Sequence, residues 1–173
     1  MTNFPILSSL ILIPTIGSIF LLFIKSTEKN NSIKYVALFT SIINFFLSLY
    51  LWKLFDNNIS DFQFVETRIW IKNFINYKVG VDGISMLFII LATFITPLCM
   101  ISVNNHVKIR LKEFLIAILL METFMIGVFC SLDLIIFYLF FEGGLIPMFL
   151  IIGVWGGNRR VYSAFKFFLF TLV

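Results

Sequence analysis

Residues 134–155 read LIIFYLFFEGGLIPMFLIIGVW. A helix of this length is about what is needed to cross the hydrocarbon core of a bilayer. One ionisable residue, Glu142, lies near its middle. A charge at that depth costs about 2.5–3.5 kcal/mol on insertion scales. Gly143 and Gly144 follow directly and Pro147 comes five residues later, so the helix is weakest where the charge sits. The plain reading is a protonated carboxyl that bonds a neighbouring helix. The sharper one is a membrane proton or ion site, and it is preferred because intramembrane ionisable residues usually serve a function.

The remainder of the chain agrees with a membrane setting. Its 173 residues are 60% hydrophobic and only 13% charged. A soluble domain of this size lacks the interior to hide that much apolar surface, so the fold class is an all-α polytopic membrane protein. The 23 Phe residues and the frequent Ile and Asn fit an AT-rich genome, such as that of an organelle or a reduced bacterium.

Five stretches reach crossing length: residues 4–24, 35–52, 83–103, 114–132 and 134–155. A sixth starts near Tyr162, and residues 162–173 are shorter than a full crossing. The expectation is a single membrane domain with five spans and the start of a sixth, its remainder supplied by further sequence or by a second polypeptide. Lys25, the first basic residue, follows the first apolar run rather than preceding it, so that run reads as a retained helix and not a cleaved signal. An Arg-rich presequence is not evident either.

Basic residues set the orientation. The first loop carries Lys25, Lys29 and Lys34, the third Lys108, Arg110 and Lys112, and the fifth Arg159 and Arg160. The long second loop, residues 53–82, offsets Lys53, Arg68, Lys72 and Lys78 with Asp56, Asp61, Glu66 and Asp82. The short odd-numbered loops therefore face the cytoplasm or matrix and the N-terminus faces the outer side. The net charge of +4 is a topology signal of this kind and not a nucleic-acid footprint. Within the second loop, FQFVETRIWI (62–71) and INYKVGV (75–81) flank a turn-prone IKNF (71–74). They read as a short β-hairpin on the outer face, with an interfacial amphipathic segment as the alternative.

Glu122 lies ten residues before the turn near residue 132 and Glu142 ten after it. In a helical hairpin both sit about 15 Å from the turn, at matching depth. Should they face each other, both could not comfortably ionise, and the pair could take up and release a proton. Adjacent Thr123 offers Glu122 a local partner instead. Lys166 lies inside the sixth stretch, where its stem can snorkel to the basic side. Pro97 and Pro147 each deprive a carbonyl four residues earlier, on Thr93 and Gly143, of its helical donor. Pro147, beside a carboxylate, reads as a functional kink, whereas Pro97 reads as packing. Asp133 reads as an interfacial cap. Cys99 and Cys130 fall in apolar spans with no CxxC spacing, and His106 falls in a basic loop, so none of the three suggests a metal. Nucleotide, haem and iron–sulfur motifs are not found, so electron transfer is not expected on this chain.

FYLFFEGGLIPMFLIIGVWGG (137–157) with RRVYSAFKFFLFTLV (159–173) closely resembles NADH dehydrogenase subunit 4, an antiporter-like subunit of respiratory complex I. VGVDGISMLFIILATFITPLC (79–99) and FQFVE (62–66) resemble the same family. The resemblance implies an antiporter-like fold of about fourteen helices, of which this chain covers the first five and part of the sixth. It implies a proton path through Glu142, paired with a lysine of a seventh span, and with less weight through Glu122. The sequence departs from the family pattern at Gly143–Gly144, where larger residues are usual. The implied activity is proton-translocating NADH:ubiquinone oxidoreduction. NADH, flavin, iron–sulfur clusters and ubiquinone are held by other subunits, and this chain holds no cofactor. The implied partners are other membrane-arm subunits, a polypeptide carrying the remaining helices, and the lipid of the mitochondrial inner membrane or a bacterial cytoplasmic membrane. The other readings are a related cation/proton antiporter or membrane-bound hydrogenase subunit, and a truncated structural subunit.

Overall fold

The computed structural model describes residues 5–24, 31–71, 75–107 and 109–172. The loop charges Lys25, Lys29, Lys72 and Lys108 and most of the IKNF turn lie outside these residues. Among the described residues the chain forms six α-helices and a two-stranded antiparallel sheet. In order these are α1 (Ile6–Phe23), α2 (Asn31–Leu54), β1 (Gln63–Ile71), β2 (Ile75–Val81), α3 (Gly83–His106), α4 (Leu111–Cys130), α5 (Leu134–Trp155) and α6 (Arg160–Leu172). Helices α1 to α5 are each long and apolar enough to cross a membrane. Several run past the apolar stretches that announced them. Helix α2 begins at Asn31 rather than 35, α3 continues to His106, and α4 begins at Leu111 rather than 114. Apolarity marks only the length buried in lipid, whereas backbone hydrogen bonding carries the helix on into the polar interface.

Short connections make neighbouring helices antiparallel. Helix α4 is the hub, packing on α1, α2, α3 and α5, while α6 packs on α5. Two apolar clusters fill the bundle. One, at the end where α1 begins, gathers Leu7, Leu10, Leu51, Met86, Ile89 and Ile126. The other, at the opposite end, gathers Leu21, Ile33, Ala37, Met100, Leu115 and Leu119. Between them every one of the four helices turns polar: Ser18 of α1, Ser41, Asn44 and Ser48 of α2, Thr93 and Thr96 of α3, Glu122 and Thr123 of α4 are all buried. The result is a polar belt at mid-height in an apolar bundle.

The β-hairpin closes one end. The register slips by one residue between the Gln63–Val81 and Glu66–Val79 pairs, and Phe64 there takes a left-handed conformation with φ of 53°. Such a bulge re-aims the side chains beyond it. Glu66 is thereby brought to the N-terminus of α1, where it accepts from the backbone N–H of Leu7 at 2.9 Å and of Ser8 at 3.2 Å, and from the Ser8 hydroxyl. An anion suits a helix N-terminus. Beside it, burial pushes the Tyr77 phenol above its usual range, against the Ser8 hydroxyl at 3.2 Å. Lys78 accepts the backbone N–H of Leu132 at 3.0 Å, which ties β2 to the α4–α5 turn.

Aspartates start two helices at this end. Asp82 caps α3 in a reciprocal box with Ser85, and those hydrogen bonds hold its carboxyl below the usual carboxylate range. Asp133 caps α5 through the N–H of Ile135 at 2.9 Å, as its place at the turn suggests. At the far end Lys112 donates to the last carbonyls of α1, Leu22 at 2.9 Å and Ile24 at 2.7 Å. The Trp155 indole donates to Ile109 at 2.8 Å.

Candidate functional site: two carboxylates in the bundle

Glu142 is positioned by how α4 and α5 interlock. Gly143 of α5 receives the Phe124 ring of α4, and Gly127 of α4 receives the Phe140 ring of α5. A Cβ at either glycine would collide with the opposing ring. The two rings meet edge-on, 6.5 Å apart. This mutual notching lets the helices approach closely, as small residues do in membrane interfaces. Gly143 therefore has a packing reason in this chain. Pro147, one turn on from Gly143, is buried inside α5.

Glu142 lies roughly 12 Å from the start of α5, in its middle third. It is half-buried and accepts a hydrogen bond from the hydroxyl of Tyr138, one turn earlier and itself exposed. Its partner is thus on its own helix, on a face that the described residues leave open. Phe137, Phe141 and Ile146 are exposed on the same helix.

Glu122 has different surroundings. It is only 2% exposed and accepts from Asn44 Nδ2 of α2 at 2.8 Å. The neighbouring hydroxyls pair across the belt, Thr123 with Thr15 at 3.0 Å and Ser48 with Thr93 at 2.8 Å. The structure does not join the two glutamates in one hydrogen-bonded site: Glu122 bonds toward α2 and Glu142 bonds along α5. Pro97 is buried in α3, one turn beyond Thr93, so the proline stands next to the belt. Lys166 is exposed on α6, with its ammonium 5.9 Å from the centre of the Phe170 ring.

Asn44 is the functional-looking residue whose role was not foreseen. It is visible in the sequence as the lone amide of its span, but its partner is not. The spacing Ser41, Asn44, Ser48 repeats at three and four residues, which places all three on one helical face. That pattern is the signal that α2 turns a polar stripe inward. Cys99 is exposed and Cys130 buried, both within helices. Among the described residues no group of three or more His, Cys, Asp or Glu could hold a metal ion.

Comparison with known proteins places this architecture. Residues 9–128 match the family described as NADH-ubiquinone oxidoreductase chain 4, amino terminus. Residues 131–173 match the family described as NADH:quinone oxidoreductase/Mrp antiporter, TM. The chain is 48% identical to NADH-ubiquinone oxidoreductase chain 4 of Marchantia polymorpha over 169 residues, covering 96% of this chain and 34% of that one. It is 56% identical to NADH-quinone oxidoreductase subunit M of Rhodobacter capsulatus over 140 residues, 81% of this chain and 27% of that one. The Arabidopsis thaliana chain 4 is 48% identical over 169 residues, again 34% of its length. The chain thus spans about a third of the length of these relatives. A membrane bundle with two mid-helix carboxylates and these matches along its length belongs to the NADH-ubiquinone oxidoreductase chain 4 family.

Proposed function

We propose that these helices form the first part of a proton-translocating membrane-arm subunit of respiratory complex I, in which NADH:quinone oxidoreduction drives protons across the membrane. The observation that carries the proposal is Glu142. It is a carboxyl at mid-helix whose hydrogen-bond partner among the described residues is Tyr138 of the same helix. Facing lipid, it would cost a few kcal/mol. Covered by further protein that brings a cation, it becomes a switch: the cation's approach favours the ionised form and its withdrawal favours the neutral one. The relatives are about three times longer, which supports a source for such a cover. Lys166, exposed on α6, is a second candidate cation on the path, and the buried Pro147 beside Glu142 a candidate kink.

The chain performs no redox step in this reading. NADH, flavin, iron–sulfur clusters and quinone belong to other subunits, and the partners are the other membrane-arm subunits together with whatever carries the later helices. The membrane is the mitochondrial inner membrane or a bacterial cytoplasmic membrane. The hairpin end lies on the outer side, and the end bearing Arg110, Lys112, Arg159 and Arg160 on the matrix or cytoplasmic side.

The match of residues 131–173 to a family that also includes antiporters favours one second reading, a cation/proton antiporter subunit without NADH chemistry. A native gel of detergent-solubilised membranes separates the two. The proposal expects this chain to migrate with the band that oxidises NADH. Migration solely in a band without that activity would overturn it.

A further inference from the structure

The hydroxyls of the polar belt settle their own hydrogen bonds. Thr93 donates to the carbonyl of Ile89 at 3.0 Å and Thr123 to that of Leu119 at 3.1 Å, each on its own helix. Asn44 and Glu122 cannot do this. One bond joins them, from Asn44 Nδ2 to Glu122 Oε1. The other two oxygens of the pair, Asn44 Oδ1 and Glu122 Oε2, are buried without a partner. An amide oxygen only accepts, and so does a carboxylate oxygen. Two buried acceptors without a donor are costly.

The chemistry of the two groups resolves the deficit. A primary amide and a carboxylic acid are complementary. The amide N–H donates to the acid carbonyl and the acid O–H donates to the amide oxygen, closing a ring of two hydrogen bonds. The bond that the structure contains is the first half of that ring, and the two unpartnered oxygens are the termini of the second. An ionised carboxylate can make only the first half.

We propose that the Asn44–Glu122 pair is a proton-holding site in its own right, separate from Glu142. Glu122 carries an exchangeable proton on Oε2, donated to Asn44 Oδ1 directly or through one water. The surroundings agree. Helices α1, α2 and α3 bring Thr15, Asn44 and Thr93 to this level, and Glu122 is the one charged residue type among the buried side chains described. The other titratable groups on elements packed against α4 are Lys34, Tyr35, Tyr50 and Lys53 on α2, Cys99 and His106 on α3, Glu142 bonded to Tyr138 on α5, and Tyr77 and Lys78 on β2 at the hairpin end; α4 itself adds Lys112 and Glu113 at its start and Cys130 two turns along from Glu122. The salt bridge among the described residues, Arg110–Glu113, is exposed at the other end.

The test is the infrared spectrum of the assembled complex, wild type minus E122Q, in H2O and D2O. Glutamine keeps both bonds of the ring through its own amide and removes only the proton. The result expected is a protonated-acid carbonyl band that shifts in D2O and is missing from E122Q. A difference spectrum containing carboxylate bands alone would overturn the proposal. N44L supplies an independent arm, because it keeps the carboxyl and removes its partner. The acid band moves to higher frequency in N44L if the ring exists, and an unmoved band overturns it. In a density map that resolves water, a water between Oδ1 and Oε2 assigns the indirect form of the bond and its lack the direct form. Neither readout depends on proton pumping, so failure here leaves the reading of Glu142 standing, and failure of that reading leaves this one.

Discussion

Replacing Gly143 by alanine sets two effects of opposite sign against each other. Alanine is favoured over glycine in a helix interior by about 0.5–1 kcal/mol, so propensity alone predicts a more stable α5. Packing predicts the reverse. A Cβ at Gly143 would stand inside contact distance of three ring atoms of Phe124. That ring cannot simply swing away, because Phe140 lies edge-on to it. Overpacking of this kind costs about 1–3 kcal/mol. The packing term exceeds the propensity term, leaving a net loss of about 0.5–2 kcal/mol. Gly144 is the internal control. A Cβ there meets Phe124 Cβ at 3.4 Å, an ordinary contact, so G144A should be neutral or slightly stabilising. The assay is the thermal midpoint of the assembled complex for G143A, G144A, F124L and the G143A/F124L pair. The double variant should recover about 1 kcal/mol or more of the loss from G143A, as coupled neighbours do. Strict additivity, or equal effects of G143A and G144A, would refute the interlocking of α4 with α5.

Two further predictions concern the hairpin end. Glu66→Ala removes the acceptor that holds the first N–H groups of α1. Bonds to a charged group contribute about 1.5–3 kcal/mol, so the Leu7 and Ser8 amides should exchange hydrogen at least about tenfold faster, and unchanged exchange rates would contradict the contact. Asp82→Ala should weaken the start of α3 by about 0.5–2 kcal/mol, measured as faster exchange of the Ser85 amide. The Asp82 carboxyl is held below its usual range, so its contribution is complete above about pH 4 and is lost as pH falls through the lowered value. Exchange at Ser85, corrected for its intrinsic pH dependence, should therefore speed up on acidification in the wild type and not in the variant.

How much of this was legible in the sequence depends on the range of the interaction concerned. The spans were legible because apolar length is a local property, and α5 occupies the residues 134–155 from which the reading began. The hairpin was legible from two β-prone runs around a turn. The role of Glu66 was not, because the bulge at Phe64 breaks the alternation that would have assigned it a face. Spacing was legible too: Glu122 and Glu142 each lie ten residues from the turn near residue 132. Helix rotation was not, and it decides partners, since Glu122 bonds Asn44 of α2, 78 positions away in sequence, while Glu142 bonds Tyr138. The fit of Phe124 to Gly143 is likewise a property of two helices together. Gly143 read alone suggests a weak helix, whereas in the bundle it is a notch.

The central claim is that Glu142 is a proton-path carboxyl, and its most direct test is proton uptake by the complex reconstituted in sealed vesicles with E142Q in this chain. Glutamine keeps the size and an acceptor for Tyr138 but cannot release a proton. The account predicts a complex assembled in wild-type amount whose NADH-driven proton uptake is abolished. Full pumping in that variant would contradict it.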